Sequence, residues 1–261
     1  MDSLESRIHN ILRRYESAAI AFSGGTDSTL LALCSKKFIN GKVIAININS
    51  PFSTANELKF AEKWCRENSI DLIIIKENPL NDVKVKNNPI DRCYHCKKIL
   101  MSLIIETAAK HGIKNIFDGT NLDDLTDYRP GIKASDELGI IHPFLDAKFA
   151  KIEIRELAKS YNISIWDKPS SACLASRIPY DTKITETDLR IIEKAEEHMH
   201  DLGFLLCRVR KLGNTAKIEV PKTRIEEFIL NYEKTVEYLK SIGFKHALLD
   251  LEGYRQGSLN P

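Results

Sequence analysis

The sequence predicts an α/β fold: a parallel, doubly wound sheet over residues 1–165, followed by a small C-terminal α+β domain over residues 166–261. Three observations predict it. Short runs that are apolar throughout alternate with amphipathic stretches, as in strands buried on both faces by helices. A pair of glycines follows the first apolar run and opens directly into a helical stretch. Between Ile165 and Lys183 the alternation breaks into a stretch rich in Pro and Ser, which marks the boundary.

The elements follow in order. Residues 3–16 carry Leu4, Ile8, Ile11 and Leu12 on one helical face. Residues 18–22 are the first strand, and the helix after the glycines runs from about Thr26 to about Lys37. Strands are expected at 43–48, 72–76 and 115–118, with helices at 56–68 and 97–111 between them. The stretch 79–92, with Pro79 and Pro89, reads as irregular, which leaves Cys93 to Cys96 in a loop before a helix. Lys151 to Tyr161 is helical. The second domain begins with a helix at 186–201, followed by strands at 204–210 and 214–220. One or two helices within 223–242 and a last strand at 246–250 complete it.

Composition narrows the function. Hydrophobic content of 43% and charged content of 28% describe an ordinary globular protein. The net charge of +2 argues against a broad nucleic-acid footprint and leaves room for a local basic site. The acidic start Met1-Asp2-Ser3-Leu4-Glu5 is no signal peptide, and no apolar stretch is long enough to span a membrane. A cytoplasmic protein is expected, where structural disulfides are rare, so the six cysteines need another explanation.

Ser23-Gly24-Gly25-Thr26-Asp27-Ser28-Thr29 carries the strongest chemical signal. Paired glycines let the backbone approach a ligand, and a helix N-terminus offers amide donors to an anion. Ser23, Ser28 and Thr29 add hydroxyls. Asp27 suits a phosphate site only through Mg²⁺, because a bare carboxylate repels phosphate. The loop is not a Walker A motif. Gly119-Thr120-Asn121 also follows a strand, and in such sheets ligands sit beyond the strand carboxyl ends, so the two loops can share a pocket.

Cys93-Tyr94-His95-Cys96 has the spacing to place two thiols on one metal centre, and Cys173 is the third candidate. Three thiolates could hold a [4Fe–4S] cluster with one iron open. A zinc site of the same three with His95 or His142 is the competing reading. Cys34, Cys65 and Cys207 fall inside predicted helices or a strand and read as inert core. Arg208 and Arg210 flank Val209 and so share one strand face. With Arg177 and Ser176 they are candidates to hold an anionic group such as a phosphate; a solvated face beside Lys211 is the alternative. Glu196, on the 186–201 helix, is expected to face solvent.

The glycine loop resembles that of the ATP pyrophosphatases, with the pattern SGGxDS. Four segments extend the resemblance to the LarE-type ATP-dependent sulfur transferases, which thiolate pyridinium-3,5-biscarboxylic acid mononucleotide in nickel-pincer cofactor synthesis. They are Ser23–Thr29; Gly119–Asp124 running on to Asp127-Tyr128-Arg129-Pro130-Gly131; Lys168–Tyr180; and Asp250–Arg255. The resemblance implies an adenine nucleotide α-hydrolase-like fold. It implies ATP and Mg²⁺ as cofactors, a small-molecule nucleotide substrate, sulfide or another sulfur donor as partner, and a homo-oligomer. In that family the cysteine matching Cys173 is the sulfur source. Some members sacrifice it; others add a C-x-x-C and hold a [4Fe–4S] cluster, and Cys93 and Cys96 place this chain with the latter by resemblance. Asp181 departs from the pattern, since Gly is common there. Asp127 and Arg129 are weaker site candidates, an ion pair being their alternative.

The resulting expectation is adenylation of a carboxylate by ATP, followed by displacement of AMP by sulfur. Three rivals stand beside it. A tRNA thiolase would need a larger basic surface. An ATP-dependent amidase would leave the three cysteines idle. A non-catalytic nucleotide-binding module would lack pyrophosphatase activity.

Overall fold

The computed structural model describes residues 3–125, 130–169, 172–230 and 232–255. The chain forms two compact units, Met1–Pro79 with Asp91–Ser171, and Leu80–Ile90 with Ala172–Pro261.

The first unit opens with α1 (Leu4–Leu12), β1 (Ala18–Ala21), α2 (Thr26–Phe38), β2 (Val43–Asn49), α3 (Ala55–Glu67) and β3 (Asp71–Lys76). The chain then forms α4 (Val83–Lys86), which belongs to the second unit. It returns as α5 (Arg92–Lys110), β4 (Ile116–Phe117), α6 (Pro130–Glu137), α7 (Pro143–Asp146) and α8 (Lys151–Ser160). The sheet is parallel in the order β3-β2-β1-β4, with Ala19 of β1 beside both Ile44 and Ile116. Alternate residues of the strands face opposite sides. Ile20 packs with Leu30, Leu31 and Phe117 on one face. Ala19, Ile44 and Ile46 pack with Met101, Ile104 and Ala108 on the other. Burial of both faces is why the strands lack polar alternation.

Local sequence sets the helix starts. Ser3 Oγ accepts the Ser6 amide ahead of α1. Thr54 and Glu57 close a reciprocal capping box on α3, a device that stabilises a helix by about 1 kcal/mol. One boundary differs from the sequence reading. α5 starts at Arg92, so Cys93 and Cys96 lie in a helical first turn and not in a loop. The Asp91 carbonyl accepts the Tyr94 and His95 amides, which begins the helix right after the Pro89 region.

The second unit contains α9 (Glu186–Asp201), β5 (Arg208–Leu212), β6 (Thr215–Glu219), α10 (Ile225–Ile229), α11 (Tyr232–Ser241) and β7 (His246–Leu249). β5 and β6 are antiparallel, β6 and β7 parallel. Met199, Phe204, Val209, Ile218 and Phe228 form its core. The strand expected from 204 begins only at Arg208, because the Phe204 amide returns to Met199 O and turns the chain out of α9. Among the described residues no helix is long and apolar enough to cross a membrane.

Candidate active site

Order reversal in the first sheet puts the loops after β1 and β4 side by side. Gly24 has φ +75°, a left-handed conformation that glycine adopts without cost. Ser23, Gly25 and Asp27 are the solvent-reaching members of the loop, while Gly24, Ser28 and Thr29 are buried. Ser23 Oγ lies 3.1 Å from Ser28 Oγ and accepts the Gly25 amide at 3.3 Å. Thr29 is wholly buried, and its Oγ1 has no hydrogen-bond partner among the described residues.

Gly119 is the contact point between the two loops. A Cβ there would lie 2.9 Å from Asp27 Cβ and 3.2 Å from the Ser28 amide nitrogen. Only glycine permits that approach. It brings Asn121 to Asp27, where Asn121 Nδ2 donates to Oδ2 at 3.4 Å. Asp27 Oδ1 accepts a short hydrogen bond from Lys151 Nζ, at the first residue of α8. Thus Ser23, Gly25, Asp27, Gly119, Thr120 and Asn121 converge within the first unit, with Lys151 as an added cation. Sequence reasoning missed Lys151. A signal existed: a cation at a helix N-terminus opposes the helix dipole, and such broken local rules gather at functional sites.

Cys93 and Cys96 stand one turn apart on α5, both half-buried, and the Arg92 guanidinium donates to Cys93 Sγ at 3.4 Å. His95 Nε2 lies 3.1 Å from Asp91 Oδ2. Both ring nitrogens of His142 face carboxylates, Asp118 and Asp136, so neither offers a lone pair to zinc. Among the described residues no three His, Cys, Asp and Glu side chains are gathered as a metal-holding group.

Cys173 is exposed. It caps a short 3₁₀ turn, Leu174–Arg177, its carbonyl accepting the Ser176 amide at 2.9 Å. Arg177 is only 2% exposed, and its Nη1 donates to Ala172 O, Cys173 O and Ser176 Oγ. Its other edge meets Glu196 in two bonds of 2.9 Å. Burial disfavours the guanidinium charge, but Glu196 outweighs it, and the net shift of Arg177 is upward. The solvent-facing expectation for Glu196 is therefore corrected. It is 6% exposed, and besides Arg177 it accepts the Val209 amide at 3.0 Å.

Arg210 is likewise buried. Glu219 takes it bidentately at 3.1 and 2.9 Å, and Arg210 Nη1 donates to Ser176 O at 2.8 Å. The Arg208 guanidinium lies over the Tyr254 ring at 5.2 Å and donates to Cys207 O. Burial and the neighbouring Arg177 charge depress its basicity. Both arginines are buried, so the solvated-face alternative is set aside; carboxylates and a ring hold what solvent would otherwise hold. The structure thus joins Cys173, Ser176, Arg177 and Arg210 in one network inside the second unit. Cys34, Cys65 and Cys207 are buried, and burial pushes each thiol up to about 12. Asp127, Arg129, Ser170 and Ser171 lie outside the described residues.

No family model matches the chain. A pyridinium-3,5-bisthiocarboxylic acid mononucleotide synthase of Lactiplantibacillus plantarum is 34% identical over 250 residues, covering 95% of this chain and 91% of that protein. An uncharacterized protein of Synechocystis is 35% identical over 262 residues, 98% of each. A glutamine-hydrolyzing GMP synthase chain of Pyrococcus horikoshii is 26% identical over 231 residues, covering 80% of this chain and 75% of that protein.

Proposed function

The chain belongs to the pyridinium-3,5-bisthiocarboxylic acid mononucleotide synthase family, and we propose that it uses ATP to convert a carboxylate of pyridinium-3,5-biscarboxylic acid mononucleotide to a thiocarboxylate, for nickel-pincer nucleotide synthesis and lactate racemase maturation. The observation that carries the reading is an exposed thiol, Cys173, whose own carbonyl is gripped by a buried arginine. A thiol meant only for packing is sealed away, as Cys34 and Cys207 are.

A carboxylate resists nucleophiles because its charge repels them. Its oxygen attacks the α-phosphorus of ATP, pyrophosphate leaves, and the acyl adenylate gains a good leaving group. Asp27 would hold Mg²⁺ against the departing pyrophosphate, with amides of the Ser23–Thr29 loop and Gly119, Thr120 and Asn121 around the nucleotide. Ser176, Arg177, Arg208 and Arg210 would receive the substrate's phosphate, as paired guanidiniums suit it, the phosphate then drawing Arg177 and Arg210 from Glu196 and Glu219. Sulfur then attacks the acyl carbon and AMP departs. The soft thiol donors Cys93, Cys96 and Cys173 would hold a [4Fe–4S] cluster, which would supply the sulfur as sulfide.

A second reading has its own support. Cys173 is exposed, as a sulfur that must itself reach the acyl carbon has to be. Here the Cys173 sulfur bonds to the acyl carbon and expels AMP; loss of the Cα proton with cleavage of the Cβ–S bond then releases the thiocarboxylate and leaves dehydroalanine. A tRNA thiolase is disfavoured by the net charge of +2. The proposal carries with it a cytoplasmic enzyme that assembles as a homo-oligomer.

The test is anaerobic incubation with ATP, Mg²⁺, the mononucleotide and sulfide, following AMP, pyrophosphate and thiocarboxylate together with the intact protein mass. Repeated turnover at constant mass supports the cluster. One turnover with loss of hydrogen sulfide from residue 173 supports sacrifice. Pyrophosphate release without any thiocarboxylate would sink both.

A further inference from the structure

A buried carboxylate of the first unit that accepts five hydrogen bonds has no part in that chemistry. Asp118 follows β4, immediately before Gly119, and is almost fully buried. Its Oδ1 accepts the Thr120 amide at 3.1 Å, the Thr120 hydroxyl at 2.7 Å and His142 Nδ1 at 2.6 Å. Its Oδ2 accepts Lys97 Nζ at 3.1 Å and Ser135 Oγ at 3.4 Å. His142 is delivered by an isolated parallel bridge: Ile141 pairs with Phe117, and the Asp118 amide donates to Ile141 O. The far side of the ring, Nε2, meets Asp136 Oδ1 at 3.1 Å.

This arrangement acts on the nucleotide loop. The Thr120 bonds form a tight turn that sets the path of Gly119-Thr120-Asn121. That path presses Gly119 onto Asp27 and brings Asn121 to the same carboxylate. We propose that Asp118, pinned by the His142 imidazolium and the Lys97 ammonium, is the positioning residue for the Gly119–Asn121 nucleotide loop, and that loss of the His142 proton loosens nucleotide binding. The inference rests on the reading that this loop holds the nucleotide.

The electrostatics have a definite sign. Burial pushes His142 toward its neutral form, but its bonds and charge contacts with Asp118 and Asp136 outweigh burial, and the net shift is upward. Burial also disfavours the Asp118 carboxylate; Lys97, His142 and Thr120 overcome it and hold Asp118 well below the ordinary carboxylate range. The charged groups facing the ring are Asp118 from the β4 end and Asp136 from α6. Lys97 of α5 sits across Asp118. The imidazolium therefore persists to higher pH than that of an ordinary histidine, and it is lost as pH rises through a midpoint above the usual value of about 6.5.

The experiment measures the dissociation constant of a fluorescent, non-hydrolysable ATP analogue with Mg²⁺ from about pH 6 to about pH 9.5. For the wild type, affinity falls by about fivefold or more across that range. His142→Gln, which keeps a neutral donor toward Asp118, binds more weakly at low pH and shows no such fall. A His142→Gln profile that parallels the wild type overturns the proposal, since the titrating group then lies elsewhere. Ring NMR of His142 in the unaltered protein gives a second arm that does not depend on a variant folding. By reciprocity, nucleotide must raise the His142 midpoint; an unmoved midpoint overturns the proposal. Absence of nucleotide binding at every pH overturns the active-site reading itself, a result distinguishable from binding that is merely insensitive to pH.

Discussion

Arg177 and Glu196 meet edge to edge through two hydrogen bonds of 2.9 Å, and the opposite side of the same guanidinium holds the Cys173 carbonyl at 3.1 Å. The exposed Cys173 is thereby tied to a buried ion pair whose carboxylate lies on α9. Glu196→Gln leaves that guanidinium charge uncompensated, and breaking one side of a buried pair costs about 3–5 kcal/mol. The expected result is a lower urea midpoint together with sulfur transfer reduced by about 100-fold, the cost of misplacing a reacting group by about 1 Å. Wild-type thiocarboxylate formation in a folded Glu196→Gln variant would contradict it.

Asp27 and Lys151 separate by function although they share a bond. Asp27→Asn should stop pyrophosphate release. Lys151→Met should leave folding intact and lower kcat/KM for ATP by about 100-fold, as expected for one lost donor to a charged transition state. Steady-state pyrophosphate assays check both.

Cys173→Ala should abolish thiocarboxylate formation under either sulfur source while adenylation persists. Cys93→Ala and Cys96→Ala distinguish the sources. Under the cluster reading both lose iron and repeated turnover; undiminished thiolation in an iron-free Cys93→Ala protein favours sacrifice.

Alkylation should sort the cysteines. With thiols pushed up to about 12, Cys34, Cys65 and Cys207 carry only about one thiolate in ten thousand at pH 8. Exposed Cys173 should label with iodoacetamide in the native protein. Peptide mapping should find those three unlabelled until the chain is unfolded.

Asp181 has φ +59°, the left-handed region that favours glycine. This explains the departure noted in the sequence: the turn wants a residue without Cβ. Asp181→Gly should stabilise the fold by up to about 1 kcal/mol, the strain removed exceeding the backbone entropy added. Thermal denaturation would show a small upward shift in Tm.

The parallel sheet was legible because strands buried on both faces read as unbroken apolar runs, whereas its adenine nucleotide α-hydrolase-like class came only from the resemblance carried by the glycine loop. The loop chemistry was legible because Gly24 and Gly119 serve positions no other residue fits. Pairings across long sequence separations were not. Arg177 and Glu196 are nineteen residues apart, and Asp27 and Lys151 are 124 apart. Glu196 still left a trace: it falls on the stripe of Leu189, Ile192 and Met199, where a charge must be paired inside. The start of α5 was misread because no side-chain cap marks it. Asp91 begins the helix through its carbonyl alone.

Asn88 gives the second unit an unusual architecture. Its amide nitrogen reaches Ile178 O and Pro179 O, its carbonyl accepts Asp181, and Lys86 O accepts Ile184. Four stitches thus sew an eleven-residue excursion, Leu80–Ile90, onto a body that begins only at Ala172. No single cut can liberate that body whole. A C-terminal fragment expressed alone would emerge with a torn seam, and recovering it would require supplying the missing peptide in trans or grafting it on by circular permutation.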